Sequence, residues 1–167
     1  VGFGQSRLSI IDLSNNGHQP MFYKNFTIVF NGEIYNYLEI KDELHELGHI
    51  FISNSDTEVI LHSFEQWGES CVNRFIGMFS FSIFDNISNK IFLFRDRAGV
   101  KPLYYYWLDG LFLFASELKP FHKNPYFKKE LNLLSIKEYF NYGFIPSPLC
   151  IFKYTNKLEP GHILIFD

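Results

Sequence analysis

Asn31-Gly32-Glu33 has residue types that can hold a developing negative charge. The Asn31 carboxamide offers N–H donors. Gly32 has no β-carbon, so its backbone N–H can come close to a bound group. Two such converging donors are what an oxyanion hole requires, and losing one costs about 2.7–4 kcal/mol of transition-state stabilisation. Before the tripeptide runs Phe26-Thr27-Ile28-Val29-Phe30, which reads as a buried strand. After it, Tyr37, Ile40, Leu44 and Leu47 recur at three- and four-residue spacing, the mark of a helix face. Asn-Gly after a strand is by itself a hairpin signal. A hairpin needs a second strand directly afterwards, and the periodicity there is helical. The sequence therefore predicts that the strand stops at Asn31-Gly32 and hands over to a helix at an open corner that a ligand can reach.

A second chemical pattern is His45-Glu46-Leu47-Gly48-His49, which fits the H-E-x-x-H zinc-protease signature. That chemistry needs both histidines one turn apart on a continuing helix, with a third ligand. Gly48 is a helix-ending residue, His49 opens a β-like run, and Ile52 and Ser55 stand where an extended motif would continue. His18, His62, His122 and His162 are scattered along the chain. No metal site is expected. Cys71 and Cys150 form no ligand or disulfide pattern, and two lone thiols suit a reducing, cytoplasmic setting. Cys71, beside Val72 and Phe75, reads as core. Cys150 follows a Pro-rich connector.

Bulk properties bound the remaining function classes. At 167 residues the chain makes one ordinary domain with room for a substantial core. A net charge of −3 without a basic patch argues against a nucleic-acid partner. Polar residues interrupt every apolar run well short of a membrane span, and no signal peptide is visible. The 20 Phe and 10 Tyr supply core but name no activity.

Several elements must position these residues. Arg7 to Asp12 reads as a strand, and Asn15-Asn16-Gly17 as a turn. A hairpin at Lys24-Asn25 feeds the strand before Asn31. The helix from Tyr37 to Leu47 ends at Gly48, and His49 to Ile52 is short and strand-like. Ser55 and Glu58 fit a capping box at the start of the next helix, where Asp56 meets the positive end of the dipole. Ile60, Phe64 and Trp67 form its apolar face, and Ser70 to Phe75 a further helical turn. Met78–Asp85, Lys90–Arg95, Leu103–Trp107 and Leu111–Ala115 read as one antiparallel meander of four strands. Glu117–Phe121 is a short helix. Ser135–Tyr142 is a longer one with Ile136, Tyr139 and Phe140 on its apolar side. His162–Phe166 is a last strand. Strands and helices in this order predict an α+β layered domain.

Four stretches in fixed order resemble one family: Arg7-Leu8-Ser9-Ile10-Ile11-Asp12, His18-Gln19-Pro20-Met21, Val29 to Asn36, and Ser55-Asp56-Thr57-Glu58. They resemble the glutaminase domain of glutamine-hydrolysing asparagine synthetases, the class II amidotransferases. The resemblance runs from Val1 to Asp167. It implies the four-layer αββα sandwich of N-terminal-nucleophile hydrolases, with two antiparallel sheets face to face. On this reading residues 1–143 are the glutaminase domain, incomplete at its N-terminus. Residues 144–167 are a connector and last strand leading toward a synthetase domain. The stretches Arg95 to Tyr105 and Gly143 to Pro148 share the resemblance, and their residues suggest bracing and connection rather than catalysis.

The resemblance also implies roles. L-Glutamine carries a carboxylate, an ammonium and a carboxamide. Arg7 is implied to fork onto the carboxylate, Asp56 and Glu33 to hold the ammonium, and Asn31 with the Gly32 N–H to face the carboxamide oxygen. The backbone of Leu8, Ser9, Ile10 and Ile11 is implied to line the same pocket. The family's nucleophile is a cysteine at the mature N-terminus whose own amino group acts as base. The chain opens at Val1, already inside a motif, and is read as a fragment without that cysteine. It is expected to need no cofactor of its own. ATP and magnesium belong to the family's synthetase domain, which is the expected partner, and the longer protein is a candidate homodimer. Two rivals stay open: a non-catalytic glutamine-binding module, and an amidotransferase for another acceptor such as a carboxylated sugar.

Overall fold

The structure is a computed structural model that describes residues 1–6 and 17–167. The expected strand Arg7–Asp12 and the first two residues of the Asn15–Gly17 turn lie outside the described residues. The chain divides into two compact units, Val1–Phe94 with Leu164–Asp167, and Arg95–Ile163.

The first unit is built on a sheet of order β1-β2-β3-β4-β8. Its strands are β1 (Met21–Tyr23), β2 (Phe26–Ile34), β3 (Gly77–Asp85), β4 (Lys90–Arg95) and β8 (Ile163–Phe166). β1 and β2 form the expected hairpin through Lys24-Asn25, with Tyr23 opposite Phe26 and Lys24 at φ 52°. β2 then pairs antiparallel with β3 along its whole length, Phe26 opposite Asp85 to Ile34 opposite Gly77. Two helices pack on this sheet. α1 (Tyr37–Glu46) buries Ile40 and Leu44, and α2 (Asp56–Trp67) is buried from Asp56 through Phe64. A 3-10 turn, Gly68–Arg74, carries the buried Cys71. The core between them includes Ile28, Phe30, Ile34, Leu61, Phe64, Phe75, Phe79, Phe81 and Phe94. Phe81 and Phe94 stack at 4.5 Å between centroids. The phenylalanine-rich composition is spent here, where rings offset or meet edge-on.

The second unit holds a sheet of order β6-β5-β7. β5 (Tyr104–Leu108) pairs antiparallel with both β6 (Leu111–Ala115) and β7 (Thr155–Lys157). The Asp109-Gly110 turn has both residues at positive φ, 51° and 81°, as a tight hairpin demands. Tyr106, Phe121 and Phe127 form a small core, with Phe121 on a 3-10 turn, Lys119–Lys123.

Two expectations change here. The four-strand meander is two hairpins in two sheets, and β4 lies beside β3 and β8 rather than β5. The physical reason is the loop between β4 and β5. The buried Asp96 carboxylate accepts the backbone N–H groups of Ala98, Val100 and Lys101 at 2.9–3.1 Å. The Arg95 guanidinium donates to the carbonyls of Gly99, Lys101 and Leu158. So tied, the loop cannot act as a hairpin turn.

The second change concerns α3 (Leu133–Tyr142). Its apolar side was expected at Ile136, Tyr139 and Phe140, yet Ser135 is the buried residue and Phe140 is 82% exposed. Leu133, Leu134, Tyr139, Tyr142 and Phe144 are exposed too. Helix periodicity located a stripe, but what anchors the helix is polar. Asn132 caps it by accepting from Leu134 and Ser135, and the Ser135 hydroxyl donates to the Cys150 carbonyl at 2.6 Å. The double substitution Leu133→Ser with Phe140→Ser is expected to leave the unfolding free energy in urea within about 0.5 kcal/mol of wild type, the range typical of surface changes. It should also reduce self-association, since contiguous exposed apolar side chains favour it. Light scattering against concentration checks the second point, and a loss of several kcal/mol would contradict the first.

Candidate functional site

The strand does not stop at Asn31. β2 runs on through Asn31-Gly32-Glu33 to Ile34, and the turn to α1 falls at Tyr35-Asn36. The reason lies in β3, which stays paired opposite: Asn31 faces Ser80, Gly32 faces Phe79 and Glu33 faces Met78. The expected corner is therefore a stretch of strand, and what reaches a ligand is its edge and one face. Ile28, Phe30 and Ile34 point into the helix-side core. By the two-residue alternation of a strand, Asn31 and Glu33 lie on the opposite face; both are half-buried.

The edge is defined by hydrogen bonds. β1 accompanies β2 only as far as Ile28. Beyond it, side chains take over. The Gln19 Oε1 accepts the Phe30 N–H at 2.7 Å, and an Asp56 oxygen accepts the Ile34 N–H at 3.2 Å. The Tyr35 N–H points the other way, to the Ile76 carbonyl at the end of β3. Along a strand alternate N–H groups share a direction. The Gly32 N–H thus projects from the same edge as those of Phe30 and Ile34, midway between the Gln19 amide and the Asp56 carboxylate. It lies about 7 Å of strand from the Ile34 N–H. Glycine is required at this position. Its φ is +152°, and a β-carbon there would stand 2.1 Å from the Met78 carbonyl oxygen.

Asp56 is 5% exposed at the first turn of α2. Burial pushes its carboxyl up to about 6. N–H groups of Ile34 and Thr57 pull it back, and the neighbouring Glu33 charge raises it further. The two acids are therefore felt together at one end of the edge, where they suit a cation. Ser55 caps α2 as expected, its hydroxyl accepting from the Thr57 N–H at 3.1 Å. Glu58 does not close the capping box. It accepts from the Ile52 and Ser53 N–H groups and from the Ser53 hydroxyl. Burial raises its carboxyl, but the neighbouring His62 imidazole and those bonds together hold it at about 2. The expected strand at His49–Ile52 is accordingly an irregular loop, tied to α2 by Glu58 rather than paired to a sheet.

The structure thus brings Asn31, Gly32, Glu33 and Asp56 together. Arg7, Leu8, Ser9, Ile10 and Ile11 lie outside the described residues. Sequence reasoning missed Gln19, which was quoted as part of a motif but given no role. It joins β2 to α2 by donating to the Thr57 hydroxyl at 3.2 Å while accepting from Phe30. Gln5 also donates, to the Phe30 carbonyl at 3.0 Å. Neither cysteine joins this group. Cys71 is fully buried and its thiol is pushed up to about 12 by burial, and burial likewise raises Cys150.

His45 and His49 do not converge as a zinc-protease pair: the His45 Nδ1 lies 3.0 Å from the His49 carbonyl oxygen. His62, however, is not isolated as expected. Its Nδ1 lies 2.9 Å from the Nδ1 of His49.

Comparison with known proteins supplies the family. The family described as glutamine amidotransferase domain matches residues 1–167. A Methanocaldococcus jannaschii protein provisionally named asparagine synthetase (glutamine-hydrolysing) 2 is 45% identical over all of this chain and 35% of its own length. Asparagine synthetase (glutamine-hydrolysing) 3 of Bacillus subtilis is 40% identical over all of this chain and 28% of its own. The chain spans about a third or less of these relatives. Among solved structures, the allosteric regulatory enzyme of purine biosynthesis aligns with a TM-score of 0.62 at 19% identity, over 95% of this chain and 32% of that one. The glutamine phosphoribosylpyrophosphate amidotransferase of B. subtilis aligns at 0.58 and 24%, over 65% and 26%. At these identities the likeness establishes a shared fold alone, of the α+β class with antiparallel sheets and helices. From the match along its full length, the chain belongs to the glutamine amidotransferase domain family.

Proposed function

We propose that this chain is the glutaminase part of a glutamine-hydrolysing asparagine synthetase. It binds L-glutamine so that the carboxamide can be hydrolysed to glutamate and ammonia. The observation that carries this reading is the spacing along the β2 edge. The Gly32 N–H and the Asp56 carboxylate lie on one edge, and Asn31 and Glu33 share the adjoining face. Extended glutamine places its amide carbon roughly 5 Å from its ammonium nitrogen, four bonds of about 1.5 Å folded by their angles. The two ends then fit a donor pair at Asn31-Gly32 and an acidic pair at Glu33-Asp56. Arg7 is assigned to the α-carboxylate, and the backbone of Leu8 to Ile11 to the pocket wall, by family resemblance.

In the reaction the carboxamide oxygen becomes an oxyanion. The Asn31 side chain and the Gly32 N–H are held by paired strands, so they need no reorganisation as the charge develops. The nucleophile assigned by the family pattern is an N-terminal cysteine thiolate. Cys71 and Cys150 do not supply it, being buried with raised thiol pKa values. The ammonia is destined for ATP- and magnesium-dependent amidation of aspartate in a synthetase domain of the longer protein. No group described in this chain is assigned to ATP or magnesium.

The test is calorimetric titration of the 167-residue chain with L-glutamine, L-glutamate and L-asparagine, alongside an ammonia assay. Selective binding of L-glutamine without ammonia release is the expected result. No glutamine binding at millimolar concentration would remove the reading. Turnover would show that the nucleophile has been misassigned.

A further inference from the structure

We propose that His49, His62 and Glu65 form a binding site for a divalent transition-metal cation of the zinc type. His62 and Glu65 project from one face of α2, three residues apart. His49 reaches them from the loop after α1. The two Nδ1 atoms are 2.9 Å apart, the Glu65 Oε2 is 3.7 Å from the His49 Nδ1, and all three ligand atoms lie within 4.8 Å of one another.

The argument is an accounting of imidazole protons. A neutral imidazole has one N–H and one lone pair. The outward nitrogens face acceptors: the His49 Nε2 is 3.0 Å from the Gln66 Oε1, and the His62 Nε2 is 3.7 Å from the Glu58 Oε1. A hydrogen on each outward nitrogen leaves the two Nδ1 lone pairs 2.9 Å apart with no hydrogen between them. A cation there resolves the conflict. Ligation at about 2.0–2.1 Å in a tetrahedral site needs the two nitrogens about 3.3 Å apart, so they must part by a few tenths of an ångström. An imidazole whose second nitrogen faces a carboxylate or amide oxygen is the usual arrangement at metal centres. The His62 Nε2 is buried and has no hydrogen-bond partner at its present distance from Glu58.

The surroundings are built rather than incidental. His62 is fully buried between the Tyr23 and Phe51 rings, at 4.1 and 4.3 Å between centroids. The Tyr23 hydroxyl donates to the Glu65 Oε2 at 2.7 Å, and the Lys24 ammonium occupies the other Glu65 oxygen. Two imidazoles and one carboxylate favour zinc or cobalt(II) over calcium or magnesium, which prefer all-oxygen sites. The site's role would be to tie the loop after α1 to α2, just before the chain reaches Asp56.

The test is titration of the chelator-treated chain with Co²⁺, read as visible d–d absorbance, followed by displacement with Zn²⁺. One equivalent should bind, zinc should bleach the band, and zinc should raise the melting temperature. His49→Gln and Glu65→Gln should each weaken Co²⁺ binding at least tenfold, and His122→Gln should not. Circular dichroism checks that the variants fold. If His49→Gln does not fold, Glu65→Gln decides. Absence of the band with no metal retained after desalting overturns the proposal, and so does wild-type binding by a folded variant.

Discussion

Asp56→Asn is expected to weaken glutamine binding strongly while leaving the protein at least as stable at pH 7.5. The carboxyl is held at about 6 against an ordinary value of 3.8. A shift of that size corresponds to about 3 kcal/mol. The sign follows from linkage. Between roughly pH 4 and 6 the folded protein keeps a proton that the unfolded chain has released, so stability falls as pH rises through that window. Above it the penalty of holding a buried carboxylate is complete. Asparagine removes the penalty and can still accept the Ile34 N–H. Its melting temperature at pH 7.5 should therefore equal or exceed the wild type's, and the difference should shrink toward pH 4. Binding should move the other way. An ammonium pairs with the ionised form, so wild-type affinity should rise with pH through about 6, and binding at pH 5.5 should release protons, visible as buffer-dependent heats. Losing the charge should weaken glutamine by roughly 100-fold, about 3 kcal/mol. Equal affinity for wild type and variant would remove Asp56 from the site.

Gly32→Ala is expected to be the most disruptive single methyl in the first unit. The added carbon would stand 2.1 Å from the Met78 oxygen and 2.7 Å from the Phe79 Cα. Both are backbone atoms of a paired strand and cannot rotate away. Forced repacking together with a strained φ costs about 3–5 kcal/mol, a large part of the 5–15 kcal/mol that domains typically possess. Gly77 is its counterpart, with the Glu33 oxygen 2.2 Å from an added carbon. Gly48→Ala is the control. Its φ is +91° but nothing lies within 4 Å, so only the left-handed backbone cost of about 1–2 kcal/mol remains. Urea unfolding should rank the three accordingly. A Gly32→Ala unfolding free energy within about 1 kcal/mol of wild type would contradict the close approach.

Elements whose identity rests on local periodicity were legible in the sequence. The hairpin at Lys24-Asn25, α1 ending beside Gly48, α2 opening at Ser55, and the paired strands around Asp109-Gly110 all follow from spacing and turn chemistry. What escaped was decided by distant partners. Asn-Gly looked like the end of a strand because local rules place it in turns, but nine cross-strand pairings with β3 carry β2 past it. The loop after β4 looked like one more hairpin, until the Asp96 carboxylate gathered three amides. His62 looked solitary because its partner stands thirteen positions earlier on another element. Of the site, Asn31 and Gly32 stood out by their residue types, and the roles of Glu33 and Asp56 were named through family resemblance. Gln19 emerged only from its two hydrogen bonds.

The edge of β2 has one more implication. From Phe30 to Ile34 the strand is fastened by the side chains of Gln19 and Asp56 rather than by β1. A carboxamide docking at Gly32 would meet the chain as a peptide group of an adjoining strand does. A small molecule would be read as though it were a fragment of backbone.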